Sequence, residues 1–229
     1  MRGAVNAVDV TLAEDLLLLL FRPGSGSFTG ETTLGHVLAG AVLADLAHGG
    51  HVRPLPGWGG SIRVEAVAGR RPADEILSSA WDQIAAGPRG AQAALAVIGS
   101  TVRAAVLDRL VRRGDLRRCG RAGAFVVRPG GSGRRGRLVA EVRAVLVDGA
   151  DPQPRAAALV ALLSGSGTLP QFDPEIPWTP PVVARAQTLQ RGNWGAATTA
   201  DAIARTVTEA IVGNVAVAGW TVWRERRFY

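Results

Sequence analysis

The run Thr11-Leu12-Ala13-Glu14-Asp15-Leu16-Leu17-Leu18-Leu19-Leu20-Phe21 decides how the rest of the chain is parsed. Thr11 stands at a helix N-cap and Glu14, three residues on, completes a capping box. Leu12, Leu16, Leu17 and Leu20 recur at helical spacing, so the run reads as a short helix that stops near Phe21.

Working outward, residues 22–33 are rich in Gly, Ser and Thr and read as a loop. Leu34, Val37, Leu38, Ala41, Val42 and Leu46 have the spacing of a buried helix over 34–47, closed by Gly49 and Gly50, one of which can take a left-handed cap. Two extended runs, 51–55 and 61–66, flank a Pro- and Gly-rich turn and form a β-hairpin. Ile76, Leu77, Ala80, Trp81 and Ile84 mark a third helix, broken at Gly87-Pro88. The order of helix, glycine and hairpin then returns. Val102, Val106, Leu107, Leu110 and Val111 form a stripe, Gly114 ends it, and 116–119 with 124–128 read as a second hairpin. Residues 129–136 read as a Gly/Arg loop too polar to pack, and helices are expected at 137–147, 154–163, 181–191 and 197–218. No structureless linker longer than about a dozen residues divides these parts. The expected fold is therefore mainly α: a single-domain helical bundle with two β-hairpins in winged-helix-like units, spanning 9–218. A basic and aromatic tail, 219–229, follows with Trp220 and Trp223 beside Arg224, Arg226 and Arg227.

At 229 residues and 47% apolar content the chain can bury a substantial core. All 26 of its cations are arginine, a composition that reads as GC-rich bacterial coding, and its net charge is +7. The charge is not spread evenly. Residues 101–150 hold 12 arginines against four acids, so essentially the whole excess lies there. Clustered positive charge draws a polyanionic partner: a lipid surface, nucleic acid or an acidic protein. The candidate basic surface comprises Arg109, Arg112, Arg113, Arg117 and Arg118.

Other chemistries lack parts. One cysteine, Cys119, leaves no intrachain disulfide and no thiolate zinc site. Gly24-Ser25-Gly26 and the glycines at 130–133 lack the strand and the Lys-Ser/Thr ending of a phosphate loop, and Gly165-Ser166-Gly167 lacks the setting of a nucleophile elbow. Glu14-Asp15 and Asp74-Glu75 fall at helix starts, where capping explains them. His36, His48 and His51 straddle a helix end, with no carboxylate at ligand spacing beyond Asp45. No catalytic residue, metal or cofactor is expected. The segment 1–15 carries Asp9, Glu14 and Asp15 and does not read as a signal peptide, and no window is apolar over the roughly 18 residues of a spanning helix. The expectation is a cytoplasmic protein, peripheral at most on the inner face of the membrane.

Five runs, in order, carry a family resemblance: 11–19 (TLAEDLLLL), 38–46 (LAGAVLADL) leading into 50–52 (GHV), 74–77 (DEIL), 109–116 (RLVRRGDL) and 156–163 (AAALVALL). Together they resemble the Golgi phosphoprotein 3 family in its bacterial form, over roughly residues 9–218. The resemblance implies a helical, non-enzymatic peripheral membrane adaptor whose eukaryotic relatives bind phosphatidylinositol 4-phosphate. It also implies client proteins and a second copy of the chain as further partners. The family's headgroup site uses a tryptophan, an arginine on the next helix, and two arginines three apart on a later helix. These positions fall at Gly30, Ala39, Ser100 and Arg103, of which Arg103 alone keeps the family residue. The headgroup-binding candidates are thus Arg103 and Ser100. The alternative expectation is a nucleic-acid-binding module that uses the second helix and hairpin, with Arg109, Arg112, Arg113, Arg117, Arg118 and Arg121 on phosphates.

Overall fold

A computed structural model describes residues 10–58, 62–119, 124–191 and 209. At its centre lies α1 (Leu12–Leu20), nine residues that are all buried. A helix apolar on every side belongs inside the protein rather than on its surface. The capping box forms as expected: Glu14 N–H donates to Thr11 Oγ1 at 3.3 Å, and Thr11 N–H donates to Glu14 Oε2 at 2.9 Å.

Around α1 pack α2 (Leu34–His48), α4 (Ala91–Arg113), α5 (Pro129–Leu146) and α6 (Pro154–Gly165), while α3 (Glu75–Ala85) covers α2 and α4, and α7 (Pro180–Gln190) lies against α6. The tightest crossing is α2 on α4. It is set by two glycines: a Cβ on Gly35 would stand 2.7 Å from the Gly99 carbonyl oxygen. The chain is mainly α with short hairpins. Among the described residues Asp74 caps α3 by accepting from Ile76 N–H at 2.9 Å and Leu77 N–H at 3.0 Å, and Gly114 ends α4 in the left-handed region at φ +80°.

Both expected hairpins are present. β3 (Val52–Pro56) pairs antiparallel with β4 (Ile62–Ala66), Pro54 opposite Val64, and β6 (Leu116–Cys119) pairs with β7 (Ala124–Val127), Arg117 opposite Val126. The sequence reading missed two short pairings. Within the expected loop 22–33, β1 (Phe21–Arg22) pairs with β2 (Ser27–Phe28), and β5 (Arg89–Gly90) adds a third strand to β4. Two-residue strands carry no alternation that could announce them.

The larger correction concerns 129–136, which is not a loop but the first turns of α5. Pro129 sits at its first position, where the missing N–H costs nothing and φ is already helical. Four glycines oppose helix formation here, but tertiary contact decides the matter. Gly131 lies against the Asp115 backbone so closely that a Cβ would meet its carbonyl oxygen at 2.3 Å, and Arg134 one turn on is anchored by carboxylates. The expected helix 197–218 and the tail 219–229 lie outside the described residues, Glu209 apart.

Candidate functional site

A cluster of charges surrounds the N-terminal end of α1. Glu14 is fully buried and Asp15 is 5% exposed. Asp15 is gripped by two arginines from later in the chain: Arg134 on α5 donates to Oδ1 through Nε at 3.0 Å and Nη2 at 2.6 Å, and Arg155 on α6 donates to Oδ2 through Nε at 2.9 Å. Arg134 reaches on to Asp115 at 2.7 Å. Arg113 Nε lies 2.9 Å from Glu14 Oε1, and Arg109 Nη1 bridges Glu14 at 3.7 Å and Asp74, which also caps α3. One end of the bundle is thereby tied together: α1, α4, α5 and α6 contribute, with Asp74 at the cap of α3 and Asp115 just before β6. Ionised groups this deep are tolerated only because each meets an opposite charge.

Asp45 at the end of α2 joins this end by accepting from Leu12 N–H at 2.7 Å. Burial pushes its carboxyl up to about 6, with Asp15 and Asp74 adding to the rise and the Leu12 N–H and Arg155 opposing it. An acid held above its unfolded value of 3.8 stabilises the fold most while protonated, so this contribution fades as pH rises through 6. Asp45→Asn is expected to raise the urea midpoint at pH 7.5, by up to about 3 kcal/mol in unfolding free energy. The gain should shrink steadily as pH falls toward 5. A gain independent of pH between 5 and 8 would contradict the assignment.

The candidate arginines of the 101–150 segment therefore have different fates. Arg109 is corrected: it is 6% exposed, faces Glu14 and Asp74, and is no part of a basic surface. Arg113 turns largely to Glu14. Arg112 and Arg118 are exposed but stand against carboxylates, Glu75 at 3.8 Å for Arg112 and Asp108 for Arg118. Arg117 is exposed and forms no ion pair among the described residues. Arg121 lies outside them. The inward turn of Arg109 and Arg113 removes two of the phosphate contacts on which the nucleic-acid alternative relied.

A second constellation sits on another side of the molecule. Arg103, 44% exposed in its side chain, lies 6.0 Å over the Phe28 ring and 3.7 Å from Glu31, and its Nε has no hydrogen-bond partner. Phe28 packs edge-on against Phe125 of β7 at 5.9 Å, linking this arginine to the β6–β7 hairpin. Register fixes the faces of that hairpin. Leu116, Phe125 and Val127 turn inward, whereas Arg117 and Val126, the latter 44% exposed, share the outer face. The other positions expected from the resemblance bring no charge: Ala39 is fully buried, Gly30 has φ +66°, and the exposed Ser100 spends its hydroxyl on the Val97 carbonyl at 2.7 Å.

Sequence reasoning missed the carboxylate cluster, although its signal was present. Five consecutive leucines at 16–20 cover all sides of a helix, so the adjacent Glu14 and Asp15 must be buried too and demand cations. Arg109 follows Val102 by seven residues and Val106 by three, which places it on the inward stripe of α4. No helix among the described residues is long and apolar enough to cross a membrane. Compared with known families, the chain matches the sequence model described as Golgi phosphoprotein 3 (GPP34) over residues 12–206. No curated protein matches it.

Proposed function

Because the chain belongs to the Golgi phosphoprotein 3 (GPP34) family, we propose that it acts as a non-enzymatic adaptor that docks peripherally on an anionic membrane surface, through Arg103 and the outer face of the β6–β7 hairpin. The observation that carries this reading is the state of Arg103. It occupies a headgroup position of the family by resemblance, its side chain is 44% exposed, and its one ion pair among the described residues is the long 3.7 Å contact to the exposed Glu31. The outer face of the hairpin offers a cation and an apolar side chain, Arg117 and Val126, which suits the boundary between headgroups and acyl chains.

The absence of the indole and of two guanidinium groups at Gly30, Ala39 and Ser100 removes contacts worth roughly 1.5–3 kcal/mol each to a bound phosphate. Docking therefore reads surface charge more than headgroup identity, at about 1 kcal/mol for each arginine near the membrane. Flotation on vesicles tests this. The protein should rise with phosphatidylglycerol vesicles at low salt, be released at high salt, and ignore phosphatidylcholine. A failure to float on anionic vesicles at low salt rejects the reading, and retention of duplex DNA in a gel shift without vesicle binding would favour the nucleic-acid alternative.

A further inference from the structure

A cavity of about 350 Å³, which shares no lining residue with the docking face but adjoins it through the Phe21–Phe28 and Phe28–Phe125 ring contacts, opens between the β1–β2 hairpin, the first turns of α5 and a short 3-10 turn, Leu169–Phe172. Its size is in the range of small-molecule sites. Phe21 and Phe172 supply apolar wall, and two guanidinium groups supply charge. Arg22 is held in place: Nε donates to Thr29 Oγ1 at 3.1 Å and Nη2 donates to Gln171. Arg135 differs. Its Nε is buried with no hydrogen-bond partner, and among the described residues neither arginine forms an ion pair.

Buried donors of a charged group are normally satisfied, since leaving one unmatched forfeits its hydration. Two guanidinium groups lining one cavity, neither neutralised by an ion pair among the described residues, are the chemistry that recognises an oxyanion. Asp173 and Glu175 also line the cavity, but both are exposed and neither bonds to the arginines. These carboxylates disfavour a second negative group and suit an ammonium. We propose that the cavity binds a phosphate group that carries an amine a few bonds away, with the phosphate on Arg22 and Arg135 and the amine toward Asp173 and Glu175.

Titration calorimetry of the full chain with O-phosphoethanolamine, inorganic phosphate and ethanolamine tests this. Saturable binding is expected for phosphoethanolamine, weaker binding for phosphate and none for ethanolamine. Arg135→Gln should weaken phosphoethanolamine binding about tenfold or more. It should leave the unfolding midpoint nearly unchanged, since this guanidinium holds no structural hydrogen bond. Asp173→Asn/Glu175→Gln should erase the preference over phosphate. Glycerophosphoethanolamine decides between sources. Binding of this diester as well as the monoester identifies a lipid headgroup, whereas binding of the monoester alone identifies a soluble metabolite. The absence of saturable binding, or binding unchanged in Arg135→Gln, would overturn the proposal. Vesicle flotation of the same variant separates this result from the docking reading, because Arg135→Gln should float like the parent.

Discussion

Asp15→Asn is expected to cost about 3–5 kcal/mol of unfolding free energy, read as a fall in the urea midpoint at unchanged slope. The carboxylate is 5% exposed and accepts from Arg134 and Arg155 at once. The amide that replaces it is neutral and can accept on one atom only. The largely buried Arg134 then loses one of its two carboxylates and the more exposed Arg155 its charge partner, with Arg134 retaining Asp115 and Arg155 retaining the Val10 carbonyl at 2.8 Å. Against a typical domain stability of about 5–15 kcal/mol, the loss takes a large share. The cost comes from the abandoned cations rather than from the worth of the pair itself. Asp15→Asn/Arg134→Gln should therefore be clearly more stable than the sum of its single effects, with a coupling of at least about 1 kcal/mol. A single-variant loss below about 0.5 kcal/mol would show that the cluster is hydrated and of little consequence.

Gly131→Ala and Gly133→Ala, two residues apart on α5, should move stability in opposite directions. At Gly131 the new methyl would stand 2.3 Å from the Asp115 carbonyl oxygen, a backbone atom that cannot rotate away. The helix must retreat, and its retreat draws Arg134 away from Asp15 and Asp115. A loss of about 3 kcal/mol follows from overpacking together with the disturbed charges. At Gly133 a Cβ meets nothing within 4 Å. Alanine there should add about 0.5–1 kcal/mol, since it restricts the unfolded chain and suits the helix better. Equal effects at the two positions would mean that α5 does not approach Asp115 as described.

Such contrasts show where the sequence was readable. The start of α1 was plain because Thr11 and Glu14 satisfy the helix end locally, and the end of α4 was plain because Gly114 takes a left-handed turn that most other residues adopt only at a cost. The first turns of α5 were not, since composition favours a loop and only the Asp115 contact and the Arg134 anchor reverse that preference. Charge density along the chain was likewise a poor guide to surface charge. It counts Arg109 and Arg134 as surface cations, although each neutralises a carboxylate brought in from a distant part of the sequence. Arg103 was a candidate only through the family resemblance. Its aromatic support could not, because Phe28 and Phe125 meet only once two hairpins have formed.

The proposal that this protein docks on anionic membranes through the position, not the total, of its charge is tested by two double variants that remove the same formal charge. Arg103→Gln/Arg117→Gln strips the proposed docking edge. Arg53→Gln/Arg71→Gln strips two exposed arginines engaged with Glu65 and Asp82 at 2.6 and 2.8 Å. On phosphatidylglycerol vesicles at low salt, the first should bind roughly thirtyfold more weakly than the parent and the second almost as well as the parent. Equal weakening of both, or of neither, would contradict the account.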